Sequence, residues 1–258
     1  MIVKLLIGIP TNGQPARPFL DALRGLALPS SLEQAERVVW SGNFVAAQRE
    51  MIVREALRRD CDAVVMIDDD MVPPPDTLTR LLAVFEADPR AAVVGALYYS
   101  RDGARPMVVG RWNSQSTTSA CIPPFRSDAF SPVDGVGFGC VAIRTAALRD
   151  LESPYFGTHV YIDPSHQIVR QCDEDYLFCE RVRRAGWNVY VHGGARTPHY
   201  DRASDTLAPV QWESDADTNR LRMIVRDGDQ TRLVPFDDAV PQAPERQEPF
   251  ASSLLIVG

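Results

Sequence analysis

Apolar residues along this chain fall into short runs separated by stretches of helical spacing. Residues 2–9 are almost continuously apolar, which predicts a strand buried on both faces. Val38, Val39 and Trp40 mark a second strand, residues 63–67 a third, and Ala91 to Leu97 a fourth. After the first of these, Phe19, Leu20, Leu23 and Leu26 recur at helical spacing. Residues 44–59 suit a helix that closes on Arg58 and Arg59, cations placed where the helix macrodipole favours them. Leu78, Leu81, Leu82 and Phe85 stand at i, i+3, i+4 and i+7, one face of an amphipathic helix. Strands and helices in this alternation predict an α/β fold, a mostly parallel sheet flanked by helices.

The pattern changes after Leu97. From Tyr98 to Pro132 periodicity is weak and Arg, Ser, Thr, Gly and Pro abound, so the stretch reads as a long functional loop with one strand between Pro106 and Trp112. Order returns in Val133 to Arg144, whose second half reads as a strand and whose Gly135, Gly137 and Gly139 strip one face of side chains. A short helix near Ala146 to Leu151 follows, then a loop holding His159 and His166. Asp173, Glu174 and Asp175 open a helix on which Phe178, Val182 and Ala185 share a face and which Gly186 ends. Asn188 to His192 is a strand, a Gly-Gly turn comes next, and Ala195 leads on to His199. Beyond Ala203 the signal fades into a hairpin turning at Asp227 and Gly228, a linker over residues 237–251, and an edge strand from Leu254 to Val257. This pattern divides the chain into a main domain, residues 1–203, and a C-terminal extension, residues 204–258.

Composition sets bounds. A chain of 258 residues, 45% hydrophobic and 24% charged, is ordinary for a globular protein. A formal net charge of −7 argues against a basic nucleic-acid footprint. No apolar run approaches the roughly 20 residues of a membrane span, and the N-terminus reads as a strand and not as a signal peptide. The 5 cysteines are odd in number and lack CxxC spacing, which predicts free thiols in the cytoplasm.

Two acidic clusters carry the candidate chemistry. The third strand ends in Asp68, Asp69 and Asp70, with Pro73, Pro74 and Pro75 just beyond. Carboxylates side by side at the end of an apolar strand repel and require water, hydrogen-bond donors or a cation. The cluster is therefore either a polar turn that caps the next helix or a divalent-metal site. Asp173 to Asp175 pose a similar choice, between helix capping and a carboxylate whose pKa its neighbours raise into a useful range for proton transfer.

Taken in order from about Val3 to Tyr200, these segments resemble the GT-A glycosyltransferases, specifically the family-2-like group. The resemblance rests on a first strand ending in Pro10 and Thr11 and on Asp68-Asp69-Asp70 as a DxD-like cluster. It rests further on the Gly-rich strand ending in Ile143 and Arg144, on Glu174-Asp175 at a helix start, and on His199 after a short strand. The QxxRW motif of polysaccharide synthases is missing, and the C-terminal extension has no counterpart in the family. The resemblance implies a Rossmann-like GT-A fold with a long acceptor-side loop that closes over the donor, and a short C-terminal appendage. It implies sugar transfer from a nucleotide-diphosphate sugar, UDP being the favoured nucleotide, with Mn²⁺ or Mg²⁺ on the diphosphate. By position, Asp70 and His199 ligate that metal and Asp68 meets the ribose, or the metal through water. Asp69 flanks the donor and points away. Pro10 and Thr11 meet the nucleobase, Arg49 reaches the donor phosphate, and Gly137, with Gly135 and Gly139, floors the sugar. Asp175 is the general base, beside Glu174, and implies inversion. Arg101, Arg105, Arg111, Trp112 and Trp187 fall on the acceptor side. A retaining enzyme of the glycerate-glycosylating type shares the DxD and the His; a sugar-nucleotide or glycan-binding domain would keep Asp70 and His199 without needing Asp175. A sugar-1-phosphate nucleotidyltransferase would carry a Gly- and Lys-containing loop where Pro10 to Arg17 has one Gly and no Lys. The acceptor is a saccharide, a lipid-linked sugar, a protein, a small hydroxy acid or a modified nucleobase.

Overall fold

A computed structural model describes residues 2–42, 44–101, 106–110, 121–122, 125, 129–163, 168–208, 222–227 and 230–235. The first hundred residues wind as β1 (Lys4–Thr11), α1 (Arg17–Gly25), β2 (Gln34–Ser41), α2 (Val45–Arg58), β3 (Ala63–Ile67), α3 (Thr77–Ala87) and β4 (Ala91–Leu97), the alternation that the apolar runs predict. Three further strands, β5 (Phe130–Pro132), β6 (Cys140–Arg144) and β7 (Asn188–Arg196), complete a seven-stranded sheet in the order β2-β1-β3-β6-β4-β7-β5. Strands β1, β2, β3, β4 and β7 share one direction, whereas β6, between β3 and β4, and β5, at the edge, run against it.

Strand alternation sends side chains to opposite faces, and both faces are covered. Leu6, Val64 and Met66 pack with Ile52 and Val53 of α2, Leu148 of α4 (Thr145–Arg149), and Phe178 and Val182 of α5 (Glu174–Arg184). Leu5, Ile7, Val65 and Ile67 pack on the other face with Phe19 of α1 and Leu78, Leu81 and Phe85 of α3. Every residue of β3 is buried. Val64, Val65, Met66 and Ile67 each contribute about 1.5–3 kcal/mol by leaving water, so the register of this strand is strongly fixed. That register delivers Asp68 to the carboxyl end of the sheet, where open α/β sheets bind ligands.

The Gly186 prediction matches the local geometry. Gly186 has φ +83°, its N–H donates to the Arg183 carbonyl, and Trp187 N–H donates to the Val182 carbonyl at 3.2 Å, the two bonds of a Schellman cap.

Three local expectations are corrected. The segment holding His159 is not a plain loop: His159–Asp163 and Ile168–Cys172 pair as an antiparallel hairpin, with His166 outside the described residues. Its Val160, Ile162, Ile168 and Val169 supply strand propensity in too short a run to read alone. Gly193 and Gly194 do not turn the chain; β7 continues through them, and the pairing with β4 slips between His192 and Arg196, a bulge of the kind glycine permits. The strand between Pro106 and Trp112 shrinks, among the described residues, to Val108–Val109, paired with Gly135–Val136. Past β7, β8 (His199–Asp201) pairs with β9 (Thr206–Ala208). Arg222–Asp227 and Gln230–Pro235 form the expected antiparallel hairpin. Residues 237–251 and 254–257 lie outside the described residues.

Candidate active site

Leaving β3, the chain turns at once: Asp68 N–H donates to the Gly139 carbonyl at 2.8 Å, and Met71 N–H returns to the Asp68 carbonyl at 3.1 Å. The turn gives the three aspartates three different environments, and each takes its own cation. Asp68 accepts from Arg49 Nη2 on both oxygens, at 3.1 and 3.0 Å. Asp69 accepts from Thr11 Oγ1 at 2.5 Å and Arg202 Nη2 at 2.8 Å. Asp70 accepts from Arg101 Nη2 at 2.6 Å and faces His199 Nε2 at 3.3 Å. Like charges that would repel are thus separated by guanidinium groups.

Arg49 is the hub. Helix α2 carries it under the end of β3, where its other terminal nitrogen, Nη1, donates to Glu174 at the start of α5. Its side chain is 5% exposed and its Cζ lies over the Phe138 ring, 5.6 Å from the centroid. Burial works against its charge, but Asp68, Glu174 and Asp175 outweigh burial and hold its pKa above the ordinary arginine value. Both terminal nitrogens are therefore engaged by carboxylates. The arm expected at the donor phosphate instead ties the Asp-rich turn to the α5 terminus.

Asp175 is 8% exposed and accepts the N–H of Tyr176 at 2.7 Å. Burial is the largest influence on its carboxyl and pushes it up to about 7; Arg49 opposes, and Glu174 adds to the rise. A carboxyl titrating there is matched to proton transfer near neutral pH. Asp68 is also raised, by burial first, with Arg49 pulling back. Asp70 goes the other way: burial would raise it, but hydrogen bonds from His199 and Arg101 prevail and its pKa is lowered.

The Asp70–His199 pair has the chemistry of a partial metal site. His199 Nδ1 lies 3.2 Å from the Tyr99 carbonyl, so that nitrogen carries the proton and donates. Nε2 faces a carboxylate oxygen as well: a proton on it makes the hydrogen bond that lowers Asp70, and in the absence of that proton two acceptors stand face to face and a cation belongs between them. At 3.3 Å from each other, His199 Nε2 and Asp70 Oδ2 are near enough that both would reach one divalent ion. The carbonyl behind Nδ1 is the partner that a metal-ligating histidine requires. Among the described residues no three or more His, Cys, Asp or Glu side chains gather to hold an ion by themselves. A metal on Asp70 and His199 would keep its other positions for ligand oxygens and water.

The glycines answer to packing. A Cβ on Gly137 would collide with Tyr98 Oη and meet Met107 at 3.0 Å; one on Gly139 would meet Tyr98 at 2.8 Å and Met71 at 3.0 Å. Gly135 makes room for Tyr176. The stripped face is filled by the Tyr98 ring, whose hydroxyl accepts Gly139 N–H at 3.0 Å. That ring also stands edge-on to His199. Tyr98 thus lies between the Gly-rich segment and His199, and the glycines do not form an open floor.

Thr11 is buried at the end of β1, between Asp69 and the Gly13 N–H, and its carbonyl accepts Gln48 Nε2 at 3.1 Å. Pro10 precedes it, opposite Trp40 of β2. Asp69 is not an idle neighbour: through Thr11 and Arg202, which also donates to the Gln14 carbonyl, it joins β1 to the chain beyond His199. Of the acceptor-side candidates, Arg101 lies at Asp70, whereas Trp187 is away from the site, stacked under Arg90 and bonded to Asp150. Arg105, Arg111 and Trp112 lie outside the described residues. The sequence reading passed over Arg202, Tyr98 and Gln48. Only Arg202 had a sequence signal, its place three residues after His199.

An α/β sheet with one reversed strand between parallel neighbours, Asp-rich at the end of its third strand, defines the GT-A class of transferase fold. The sequence profile described as "Glycosyltransferase like family 2" matches residues 35–220, and the chain belongs to that family. Two solved structures share the fold. One, described as A197 from STIV, has a TM-score of 0.55 and 20% identity over 84% of this chain and 98% of its own. The other, GalNAc-T7 with UDP, GalNAc and Mn²⁺, has a TM-score of 0.55 and 10% identity over 77% of this chain and 44% of its own. None of the curated proteins matches the sequence. Among the described residues no helix is long and apolar enough to cross a membrane.

Proposed function

We propose that this glycosyltransferase moves a sugar, of hexose type, from a nucleotide-diphosphate sugar to an acceptor hydroxyl with inversion at the anomeric carbon. The observation that carries the reading is the bridge of Arg49 between two carboxylates of unlike duty. On one side stands the Asp68–Asp70 turn with His199; on the other, Glu174 and the raised carboxyl of Asp175. Asp175, ionised, accepts the proton of the acceptor hydroxyl as that oxygen forms its bond to the anomeric carbon. The bond from that carbon to the diphosphate breaks on the opposite face, and the nucleoside diphosphate leaves. Asp70 and His199 would hold Mn²⁺ or Mg²⁺, which neutralises charge gathering on the leaving diphosphate. Glu174 stays with Arg49, so the base beside it keeps its place and its pKa. Asp68 orients the donor ribose. Thr11 and Pro10 border the nucleobase, for which UDP is the first candidate.

The neighbour described with UDP, GalNAc and Mn²⁺ supports this reading by fold likeness. A cytoplasmic site of action is part of this reading. The test is a thermal-shift panel of UDP, GDP, CDP and dTDP with and without Mn²⁺. One nucleotide should stabilise the protein only with the metal, and Asp70→Ala should abolish that response. Asp175→Ala should keep the response and lose turnover; four silent nucleotides would refute the donor assignment.

A further inference from the structure

Asp70 is held by a cation of the chain's own. Arg101 Nη2 donates to Asp70 Oδ2 at 2.6 Å, the same oxygen that faces His199 Nε2. The two partners differ in exposure: the Arg101 side chain is 62% exposed and that of Asp70 is 8%. Arg101 sits just past β4, two residues beyond the Tyr99 carbonyl that orients His199. The carboxylate is fixed in the site, whereas the arginine reaches it from solvent on a long stem.

A divalent ion shared by Asp70 and His199 would bind Oδ2, the oxygen that Arg101 now contacts. It would also sit within a few ångströms of a guanidinium of the same sign, an unfavourable pairing in a half-buried site. The arginine therefore has to leave Asp70 when metal arrives, and a diphosphate is the anion best matched to a displaced guanidinium.

We propose that Arg101 is a built-in stand-in for the metal: it neutralises Asp70 in the free enzyme, opposes binding of the metal alone, and moves onto the donor diphosphate when metal and nucleotide bind together. This role rests on the glycosyltransferase reading given above. It makes metal and nucleotide affinities rise together, each by the same factor, as linkage requires. Arg101 is a positioning residue in this scheme; the proton transfer does not involve it.

Mn²⁺ titration followed by the electron paramagnetic resonance signal of the free ion tests the proposal on the wild type, Arg101→Ala and Arg101→Lys. Without nucleotide, Arg101→Ala should bind Mn²⁺ about fivefold more tightly, the scale of one partly exposed ion pair, with Arg101→Lys in between. With each of UDP, GDP, CDP and dTDP added in turn, the nucleotide that enhances Mn²⁺ binding to the wild type should enhance it less in Arg101→Ala. A merely structural arginine would leave a looser metal site on removal. Weaker or unchanged Mn²⁺ binding by Arg101→Ala overturns the proposal. So does undiminished enhancement by nucleotide, and in that case the donor assignment stands. A wild type that binds neither Mn²⁺ nor any of the four nucleotides overturns the proposal and the donor assignment together.

Discussion

Replacing Asp175 with Asn should stabilise this protein while stopping it, and the gain should grow with pH. The folded carboxyl titrates at about 7, against about 3.9 for an unperturbed aspartate. A folded value raised above the unfolded one favours the fold fully at pH below the unfolded value. That advantage is lost as pH rises through about 7, because the unfolded chain ionises freely and the folded one does not. The gap corresponds to about 4 kcal/mol against the ionised folded form. Near pH 5 the folded carboxyl is still neutral and the loss is below about 2 kcal/mol; near pH 8 nearly all of it is felt. Asn has almost the same shape and cannot ionise, so packing changes cancel when the comparison is made at two pH values. Urea unfolding of wild type and Asp175→Asn at both should show the variant gaining about 2.5 kcal/mol relative to wild type between about pH 5 and pH 8. Turnover should fall about 10²–10⁴-fold, the range for removing a general base. A stability difference that does not change with pH would refute the desolvation argument. Retained turnover would refute the assignment of the base.

Arg49→Met should strand Asp68 and Glu174 without their shared cation and cost about 3–5 kcal/mol in denaturant unfolding, as breaking a buried pair does. Gly137→Ala should cost about 1–3 kcal/mol by overpacking against Tyr98. Adding Tyr98→Phe should recover part of that loss because the clashing atom is the hydroxyl, a non-additivity that a double-mutant cycle reads directly. Glu50→Ala should cost about 2 kcal/mol, since its carboxylate accepts the N–H groups of Tyr155 at 2.7 Å and Phe156 at 3.2 Å. Hydrogen exchange should then quicken first at the start of α5, because Phe156 stacks on Phe178.

The parts of this fold that were legible in the sequence are those where one physical pattern dominates. β3 is five buried residues, and a fully buried strand has little choice but an unbroken apolar run. α3 and α5 bury one stripe each, so their periodicity survives in the sequence. The site was legible as an order of residue types: Asp-rich strand end, acidic helix start, late histidine. What could not be read were pairings set by tertiary structure. Arg49 lies 19 residues from Asp68 and 125 from Glu174, and no periodicity reports that both carboxylates converge on it. The glycines of residues 135–139 announced a close approach but not by what; the Tyr98 ring comes from the end of another strand. The bulge in β7 looked like a turn because glycine serves both, and the neighbour strand decides between them.

Asp70 and Asp175 differ in environment in a way that fits the unlike roles proposed for them. Asp70 has its pKa lowered and Asp175 has its pKa raised, although both are largely buried and belong to the same end of the sheet. The difference lies in donors. Asp70 receives hydrogen bonds from a guanidinium and faces an imidazole, so it stays an anion able to hold a cation. Asp175 receives one backbone N–H, and the nearest cation is already shared by Asp68 and Glu174, so burial prevails and its proton is held until about neutral pH. Environments that drive two carboxylates apart in this way assign one to charge and the other to proton transfer. Were Arg49 free to serve Asp175 directly, that carboxyl would be a weaker base; were Asp70 as poorly supplied with donors as Asp175, it would be a poorer ligand for a cation. The guanidinium therefore serves by being occupied: it satisfies Asp68 and Glu174 and leaves Asp175, next to Glu174, with a carboxyl that burial holds up at about 7.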